Sequence, residues 1–418
     1  MGFKHNPFKS NQSFDSAELG HDARERSSSS SSLSSFDDPR RNQSWKSLLR
    51  NKLDYKHGSE KISRRQAYRN RTLTVVFILL ILSGIAVGIW YALVLALINR
   101  LSPRVPSNGL QSITQNWHNA SDSLSLLSPW PQDFGRGIIP VSCHSHNDYT
   151  RKVPLYDALY AGCIGVEADI WLRNDSNSNN VLLVGHTSKS LTPQRTLNSL
   201  YLDPLLQILE NQNKPGQFDE AQDQSRPLGV FDADVNETVV LLLDFKEDSA
   251  GLFPIVLQLL EPLRSKGYLT TFTNNTLTPG PITVVASGNA EYSDVVANST
   301  YRDVFLDAPL ATISDPKYNT TNSYYASISL KQAIGTLWAG KFSSSQLQTV
   351  KQQIQAASDK GLKARYWDTI AWPIPWRNNV WKVLMDEGTG MLNVDDLRSA
   401  TRWNWDYCTV AGFVLCGW

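Results

Sequence analysis

Hydrophobic and polar residues are distributed unevenly along the chain. Residues 1–71 show no sustained apolar periodicity, and serine occupies eight of the nine positions 27–35. Residues 73–98 then form an apolar run without a single charged side chain. From residue 137 onward, short apolar runs alternate with longer stretches that have helical spacing. The pattern therefore predicts a polar tail, one long apolar helix and a folded body.

The apolar run is long enough to cross a membrane. Its 26 residues exceed the ~20 that span ~30 Å of hydrocarbon as a helix, so we expect a single transmembrane helix over 72–98. A cleaved signal peptide has a shorter apolar core near the start of the chain. Seven Lys and Arg residues lie within 52–71 and two within 99–118. The positive-inside rule thus predicts a cytoplasmic N-terminus and a lumenal or extracellular body, in a membrane that the sequence does not identify.

Charge and proline content divide the remaining chain. Residues 1–71 hold 15 of the 40 Lys and Arg and 8 of the 39 Asp and Glu, so a near-neutral total joins a basic tail to an acidic body. We expect this serine-rich tail to be disordered, because it has little apolar surface to bury. The proline-interrupted segment 99–135 is expected to be a stalk, and 136–418 a single domain. Six N-glycosylation sequons follow the span, at Asn119, Asn174, Asn236, Asn274, Asn298 and Asn319.

The body alternates predicted strands with predicted helices. Nine strand candidates are found: 138–143, 164–170, 181–185, 238–245, 282–287, 304–307, 326–329, 363–366 and 391–393. Such alternation predicts an α/β fold with a parallel sheet, and the size of the body suits a (β/α)8 barrel of the TIM type. A barrel of that type has eight strands. Either 181–185 is an extra hairpin strand, or a weaker candidate such as 304–307 is not a strand.

The four cysteines all lie beyond residue 140. An exoplasmic body permits disulfides. Cys408 and Cys416 are close in sequence and are expected to pair. Cys143 and Cys163 lie inside apolar segments, where a buried free thiol is the ordinary state.

Chemically competent side chains follow four of the predicted strands. They are His144, His146 and Asn147 after the first strand, Glu167 and Asp169 near the end of the second, His186 after 181–185, and Asp244 and Lys246 at the end of 238–245. Carboxyl ends of barrel strands meet in one mouth, and residues two apart on a strand share a face. Three carboxylates converging there repel one another unless a cation lies between them, and oxygen ligands favour Mg²⁺ or Ca²⁺. Paired histidines beside such an ion would supply a general acid and a general base for displacement at phosphorus.

Each of these motifs also has an ordinary structural explanation. Glu-x-Asp occurs in solvent-facing strands, Gly-His often forms a turn, and Asp-x-Lys is commonly a surface ion pair. Their coincidence at the ends of strands too apolar to face solvent favours a functional site. A zinc amidohydrolase site is excluded by the histidine inventory, because none of the seven histidines follows residue 186.

A non-enzymatic alternative stays open. A membrane-anchored, catalytically inactive barrel could bind a lipid, a phosphodiester or a protein, and the aromatic segment 366–376 could supply the binding surface. Packing at the barrel rim explains most of these tryptophans equally well. We expect only Trp367 to contact substrate.

Three segments carry a family resemblance. The sequences SHNDY (145–149), GCIGVEADIW (162–171) and VGHT (184–187) resemble the X region of phosphatidylinositol-specific phospholipase C. They also resemble the glycerophosphodiester phosphodiesterases and sphingomyelinases D. With a membrane span before them, they are most similar to the fungal "altered inheritance of mitochondria protein 6" family. The resemblance covers roughly 137–402 and is strongest over 144–187.

The resemblance implies a metal-dependent phosphoric diester hydrolase that acts on a glycerophosphodiester or a (lyso)phospholipid, with a membrane but no nucleic acid as a partner. It implies acid/base roles for His146 and His186, with His144 as the alternative to His146. The implied ligands of Mg²⁺ or Ca²⁺ are Asn147, Glu167, Asp169 and Asp244. Lys246 corresponds to a phosphate-contacting lysine, and a neighbouring substrate hydroxyl would attack phosphorus to give a cyclic phosphate.

Overall fold

A computed structural model describes residues 41–101, 106–173, 181–214 and 226–401, with the backbone of 409–410 and 413–414. The chain divides into two compact units, Met1–Pro103 and Arg104–Trp418. In the first unit, helix α1 runs over Arg41–Leu101, and its segment Leu49–Leu97 has the length and apolarity of a membrane-crossing helix. The serine run 27–35 lies outside the described residues.

Helix α1 begins far ahead of the predicted span, so residues 41–71 are helical where a tail without regular structure was expected. This segment contains one glycine, Gly58, and no proline. Extending an existing helix avoids the cost of nucleation, and the apolar segment supplies the nucleus.

The second unit is a closed barrel of eight parallel strands. The strands are β1 Val141–Ser145, β2 Cys163–Leu172, β3 Val239–Phe245, β4 Ile282–Gly288, β5 Val304–Pro309, β6 Ser323–Ser329, β7 Lys363–Trp367 and β8 Met391–Val394. Each strand pairs in parallel with the next, and β8 pairs with β1 to close the ring. The prediction of a (β/α)8 barrel is confirmed.

The ninth strand candidate is a hairpin arm. Leu182–Val184 pairs antiparallel with the end of β2, where Ile170 faces Val184. The segment 304–307 is a true barrel strand, β5. Three short strands, Thr271–Thr273, Thr276–Thr278 and Tyr301–Arg302, form a separate antiparallel sheet.

Helices follow most of the barrel strands. Those of the second unit are α2 Gly109–Asn116, α3 Asp122–Ser125, α4 Tyr156–Ala161, α5 Asp203–Gln212, α6 Ser249–Leu259, α7 Glu261–Ser265, α8 Tyr292–Val295, α9 Leu330–Ile334, α10 Ser344–Ser358, α11 Ile374–Asp386 and α12 Leu397–Ala400. Local signals place several of them. Pro204 stands in the first turn of α5, and the Ser343 side chain caps α10 in a reciprocal box with Gln346.

The segment predicted as a stalk belongs to the body from residue 106 onward. Leu110, Ile113, Leu127 and Phe134 are buried in the same apolar core as the barrel. Leu110 and Ile113 are three residues apart on α2 and therefore share one helix face. The prolines of this segment lie outside α2 and α3, so they mark connections rather than a solvated linker.

Cys143 and Cys163 form a disulfide, which corrects the prediction of two free thiols. Cys143 lies on β1 and Cys163 begins β2, with their Cα atoms 4.8 Å apart. Neighbouring barrel strands bring these cysteines together, and that neighbourhood is not visible in the local sequence. The predicted pair Cys408–Cys416 lies outside the described residues.

Candidate functional site

Three carboxylates converge at the barrel mouth. Glu167 and Asp169 extend from β2 and Asp244 from β3, and each presents an oxygen within 4.8 Å of the others. The strand register explains the convergence, because Asp169 lies directly opposite Asp244 and Glu167 is two residues earlier on the same face. Glu167 and Asp169 are buried. We call these three residues the carboxylate cluster.

Lys246 lies within the carboxylate cluster. Its Nζ is 2.9 Å from Asp169 Oδ2 and 2.7 Å from Asp244 Oδ2. Burial nevertheless raises the pKa of Asp169 to about 6 and raises the pKa of Asp244. One lysine therefore does not fully offset the cost of burying these negative charges.

The cluster fits a divalent cation. The buried Oδ1 atom of Asp169 makes no hydrogen bond within the described residues, so it is free to act as a ligand. Carboxylate oxygens are the ligands that Mg²⁺ and Ca²⁺ prefer. Such a cation would also counter the burial that raises the pKa of both aspartates.

Asn147 and Tyr149 connect the β1 loop to the cluster. The backbone N–H of Asn147 donates to Glu167 Oε2 at 3.2 Å. The Tyr149 hydroxyl oxygen is 2.6 Å from Asn147 Oδ1, 2.7 Å from Asp169 Oδ2 and 3.0 Å from His186 Nδ1. Tyr149 was not among the predicted site residues, although it closes the SHNDY segment. The hydroxyl therefore links the β1 loop to Asp169 of the carboxylate cluster and to His186.

His146 lies at the edge of the cluster and is about a quarter exposed. Its Nδ1 is 2.8 Å from Asp395 Oδ1, and its Nε2 is 4.0 Å from Glu167 Oε2. Burial alone would lower the pKa of His146, but the hydrogen bond with Asp395 and the charge of Glu167 raise it. Asp395 follows β8, and sequence reasoning missed it because it is 249 positions from His146.

His144 is fully buried between β1 and β2. Neither ring nitrogen makes a hydrogen bond within the described residues, and Nε2 is 3.7 Å from Glu167 Oε2. Burial lowers the pKa of His144 to about 4, so the ring is neutral at physiological pH. Gly165 makes room for it, since a Cβ there would lie 2.5 Å from His144 Nδ1.

His186 lies on the open side of the cluster, with 63 % of its side chain exposed. Its Nδ1 is 3.4 Å from Asp169 Oδ2. The predicted pair His146 and His186 therefore borders the cluster, and both rings reach solvent.

A buried arginine supports the site from inside the barrel. Arg365 on β7 donates to Asn393 Oδ1 at 2.7 Å, to Ser327 Oγ at 3.1 Å and to Asp307 Oδ2 at 3.3 Å. Burial alone would raise the pKa of Glu167, but neighbouring His144 and the charge of Arg365 lower it. The sequence KARYW did not indicate that the side chain of Arg365 points into the barrel.

Trp367 is the last residue of β7 and is partly exposed. It lies two residues beyond Arg365 and therefore on the same, inward face of the strand. This places Trp367 at the rim of the mouth.

Comparison with known proteins identifies the family. A profile described as "AIM6-like phosphodiesterase domain" matches residues 132–307. The "Altered inheritance of mitochondria protein 6 homolog" of Arthroderma benhamiae is 39 % identical over 286 residues, which cover 66 % of this chain and 88 % of the relative. The Eremothecium gossypii protein is 34 % identical over 275 residues, 62 % of this chain and 68 % of the relative. No solved structure shows significant similarity. The chain thus belongs to the altered inheritance of mitochondria protein 6 family, and the match to the phosphodiesterase-like domain covers the barrel from β1 into β5.

Proposed function

We propose that the barrel is a metal-dependent phosphoric diester hydrolase acting on a glycerophosphodiester or a (lyso)phospholipid. The observation that carries this proposal is the carboxylate cluster, whose oxygens lie within 4.8 Å of one another beside two solvent-accessible histidines. The family's phosphodiesterase description supports the same reaction class.

The proposed ligands of Mg²⁺ or Ca²⁺ are Glu167, Asp169 and Asp244, with Asn147 as a further ligand. When bound, the ion would neutralise negative charge on the phosphate oxygens. Lys246 is proposed to contact a phosphate oxygen, because its ammonium group already lies beside two of these carboxylates. Trp367 is proposed to contact the substrate at the rim.

His146 and His186 are the proposed acid/base pair. His146 is preferred to His144 because it reaches solvent and is oriented by Asp395, whereas His144 is buried and neutral. The raised pKa of His146 favours the imidazolium form, which suits a general acid.

In this scheme, the imidazole of His186 accepts the proton of a neighbouring substrate hydroxyl as its oxygen attacks phosphorus. His146 donates its proton to the oxygen of the alcohol that leaves. The phosphorus–oxygen bond to that alcohol breaks, a cyclic phosphate forms, and water opens it in a second step.

We also propose that α1 anchors the protein by one membrane pass, with the N-terminus cytoplasmic and the body lumenal or extracellular. The cation count on either side of the apolar run supports this orientation. The disulfide Cys143–Cys163 supports it independently, because disulfides persist in oxidising compartments.

The proposal is tested on the purified full chain in detergent, with a panel of phosphodiesters and with Mg²⁺ or Ca²⁺. We expect turnover that chelation abolishes. His146→Ala and His186→Ala should each lose about 10²–10⁴-fold in kcat with the melting temperature retained. His118→Ala is the matched control, because the His118 side chain is 82 % exposed and lies outside the site.

Metal binding is measured separately by thermal unfolding. A saturating divalent ion should raise the melting temperature of the wild type but not of Asp244→Asn, while Asp133→Asn on the surface should respond like the wild type. Metal binding without turnover of any diester would contradict the hydrolase and favour the catalytically inactive binding barrel.

A further inference from the structure

Exposed tryptophans gather on one face of the body. In its described part, the exposed tryptophans are Trp338, Trp367, Trp372 and Trp376, and Trp338 and Trp372 are 84 % and 78 % exposed. All four lie at the end of β7 or in the segments that follow β6 and β7. The carboxyl ends of barrel strands share one face, so these side chains lie on the face that carries the carboxylate cluster.

Three of these tryptophans lie in or beside two segments that pack together. The turn that carries Trp338 packs against the start of α11, because a Cβ at Gly340 would lie 2.6 Å from the Cβ of Trp376. The Asn379 side-chain amide donates to the Gly340 carbonyl at 2.8 Å, which holds the same two segments together. Trp372 lies four residues before Trp376. We call Trp338, Trp372 and Trp376 the tryptophan rim.

The fold presents Trp338 to solvent by a specific turn. The Lys341 N–H donates to the Trp338 carbonyl at 3.0 Å, and the two residues between them have positive φ, 52° at Ala339 and 67° at Gly340. An alanine with positive φ costs free energy that an ordinary surface loop avoids. The turn therefore projects the indole outward at a conformational cost.

We propose that the tryptophan rim docks onto the surface of a lipid bilayer. Tryptophan favours the membrane interface, where its ring contacts lipid and its N–H stays hydrated. The exposed cations Lys331 on α9 and Lys341 in the turn after Trp338 both follow β6 in the chain and favour anionic head groups. The same chain carries the segment Leu49–Leu97, which has the length and apolarity of a membrane-crossing helix.

The length of the connecting chain supports this bilayer as the occupant. The body is described from residue 106, nine positions after the end of the apolar segment. An extended connection of that length reaches about 30 Å at most. If α1 is anchored as proposed, this short connection makes the same membrane available to the body as a docking surface.

Docking would define the substrate class. With the tryptophan rim at the interface, the mouth and Trp367 would face lipid head groups, so the diester would be a phospholipid drawn from the bilayer surface. This assignment of substrate rests on the proposed hydrolase activity, and the choice of the bilayer as the occupant rests on the proposed membrane anchor.

Docking is tested by fluorescence of the full chain reconstituted into phosphatidylcholine/phosphatidylserine vesicles with and without brominated acyl chains. Subtracting the emission spectrum of the double variant Trp338→Ala/Trp372→Ala from that of the wild type gives the emission of these two tryptophans. We expect this emission to be blue-shifted relative to indole in water, and we expect brominated lipid to quench at least half of it. Ile139→Trp is the control, because Ile139 is 71 % exposed and precedes β1 at the opposite end of the barrel. The tryptophan added at position 139 should emit at the wavelength of indole in water, and brominated lipid should not quench it.

Two results would overturn the docking. Emission from Trp338 and Trp372 at aqueous wavelengths means that the rim is not covered. Blue-shifted emission that bromolipid leaves unquenched means that a second copy of the chain covers the rim.

Turnover gives a second test. The double variant should hydrolyse vesicle phospholipid at least fivefold more slowly and a soluble short-chain diester at the wild-type rate. An equal loss on both substrates would overturn the bilayer-surface substrate. A wild type that turns over no diester contradicts the proposed function instead, and the quenching result stands independently of it.

Discussion

Glycine at position 165 decides where the imidazole of His144 lies. Gly165 faces His144 across the β1–β2 pair, and a Cβ there would approach the ring nitrogen Nδ1 to 2.5 Å. The φ of Gly165 is not positive, so glycine is required by close approach and not by backbone conformation. His144 in turn lies against Glu167, and the backbone of one strand thereby controls a carboxylate of the cluster.

We predict that Gly165→Ala destabilises the barrel by about 1–3 kcal/mol, the usual cost of overpacking a core. Urea unfolding monitored by circular dichroism measures the change. Gly251→Ala is the matched control. Nothing lies within 4 Å of a Cβ at Gly251, which is inside α6, so alanine should stabilise the protein by up to about 1 kcal/mol. An unchanged stability of Gly165→Ala would show that β1 and β2 separate easily.

Asp396 gives a prediction for pH dependence away from the site. It caps α12 by accepting from the Ser399 N–H, and its Oδ2 is 2.7 Å from Arg377 Nη1. Burial opposes the shift, but the hydrogen bonds from Ser399 and the charge of Arg377 lower the pKa of Asp396. A carboxyl with a lowered folded-state pKa stabilises the protein above its unfolded pKa, and this contribution is lost as the pH falls through the folded value.

Asp396→Asn keeps an oxygen that can cap α12 but loses the charge that pairs with Arg377, so it should cost up to about 1 kcal/mol at pH 7. The difference from the wild type should stay constant down to about pH 5 and shrink below about pH 4, near the unfolded pKa of aspartate. Thermal melts of both proteins from pH 3 to 7 measure it. A difference that grows on acidification would contradict the assignment.

Among the elements, the junction of β1 and β2 is the one that carries a covalent link. Cys143 and Cys163 are 20 positions apart in sequence, and both are buried in the core. His144 and Glu167 lie on these same two strands. The disulfide therefore holds the strands that carry most of the candidate site.

Removing the disulfide with Cys143→Ala/Cys163→Ala should lower the free energy of unfolding by about 3 kcal/mol, from the loop-closure entropy of the unfolded chain. Denaturant unfolding of wild type and variant gives the value. Reductant should destabilise the wild type by a similar amount once the bond is opened, and should leave the variant unchanged. Equal stability of both oxidised proteins would mean that the bond does not form.

The strand prediction succeeded where the signal was local. The strands β3 and β4 are apolar runs followed by polar residues, and this pattern is readable without a partner strand. The stalk prediction was wrong from residue 106 because prolines were read as a solvated linker. Only packing against the barrel shows that Leu110 and Ile113 belong to its core.

At the scale of the whole molecule, N-glycosylation of the sequons shows which part of the chain lies on the lumenal or extracellular side of the membrane. Asn119, Asn236, Asn274 and Asn298 are exposed on the body. We predict that the protein expressed in a eukaryotic cell carries N-glycans on the body, because an exoplasmic body meets the glycosylation machinery. Peptide-N-glycosidase treatment should reduce its apparent mass.

The tail provides an internal control, since it carries sequons at Asn11, Asn42 and Asn70. A cytoplasmic tail leaves these three unmodified, and mass spectrometry of tryptic peptides distinguishes them from the body. Glycans on the tail sequons, with none on the body, would reverse the proposed orientation.

The sequence by itself determined the apolar helix, the parallel α/β barrel and the residues of the carboxylate cluster. These rest on hydrophobic periodicity and on short motifs at strand ends, which are local properties of the chain. Only the tertiary structure decided that His146 meets Asp395, that Cys143 meets Cys163 and that Arg365 lies inside the barrel. Barrel closure creates those contacts between distant positions. No local pattern encodes which distant side chains become neighbours when the ring of strands closes.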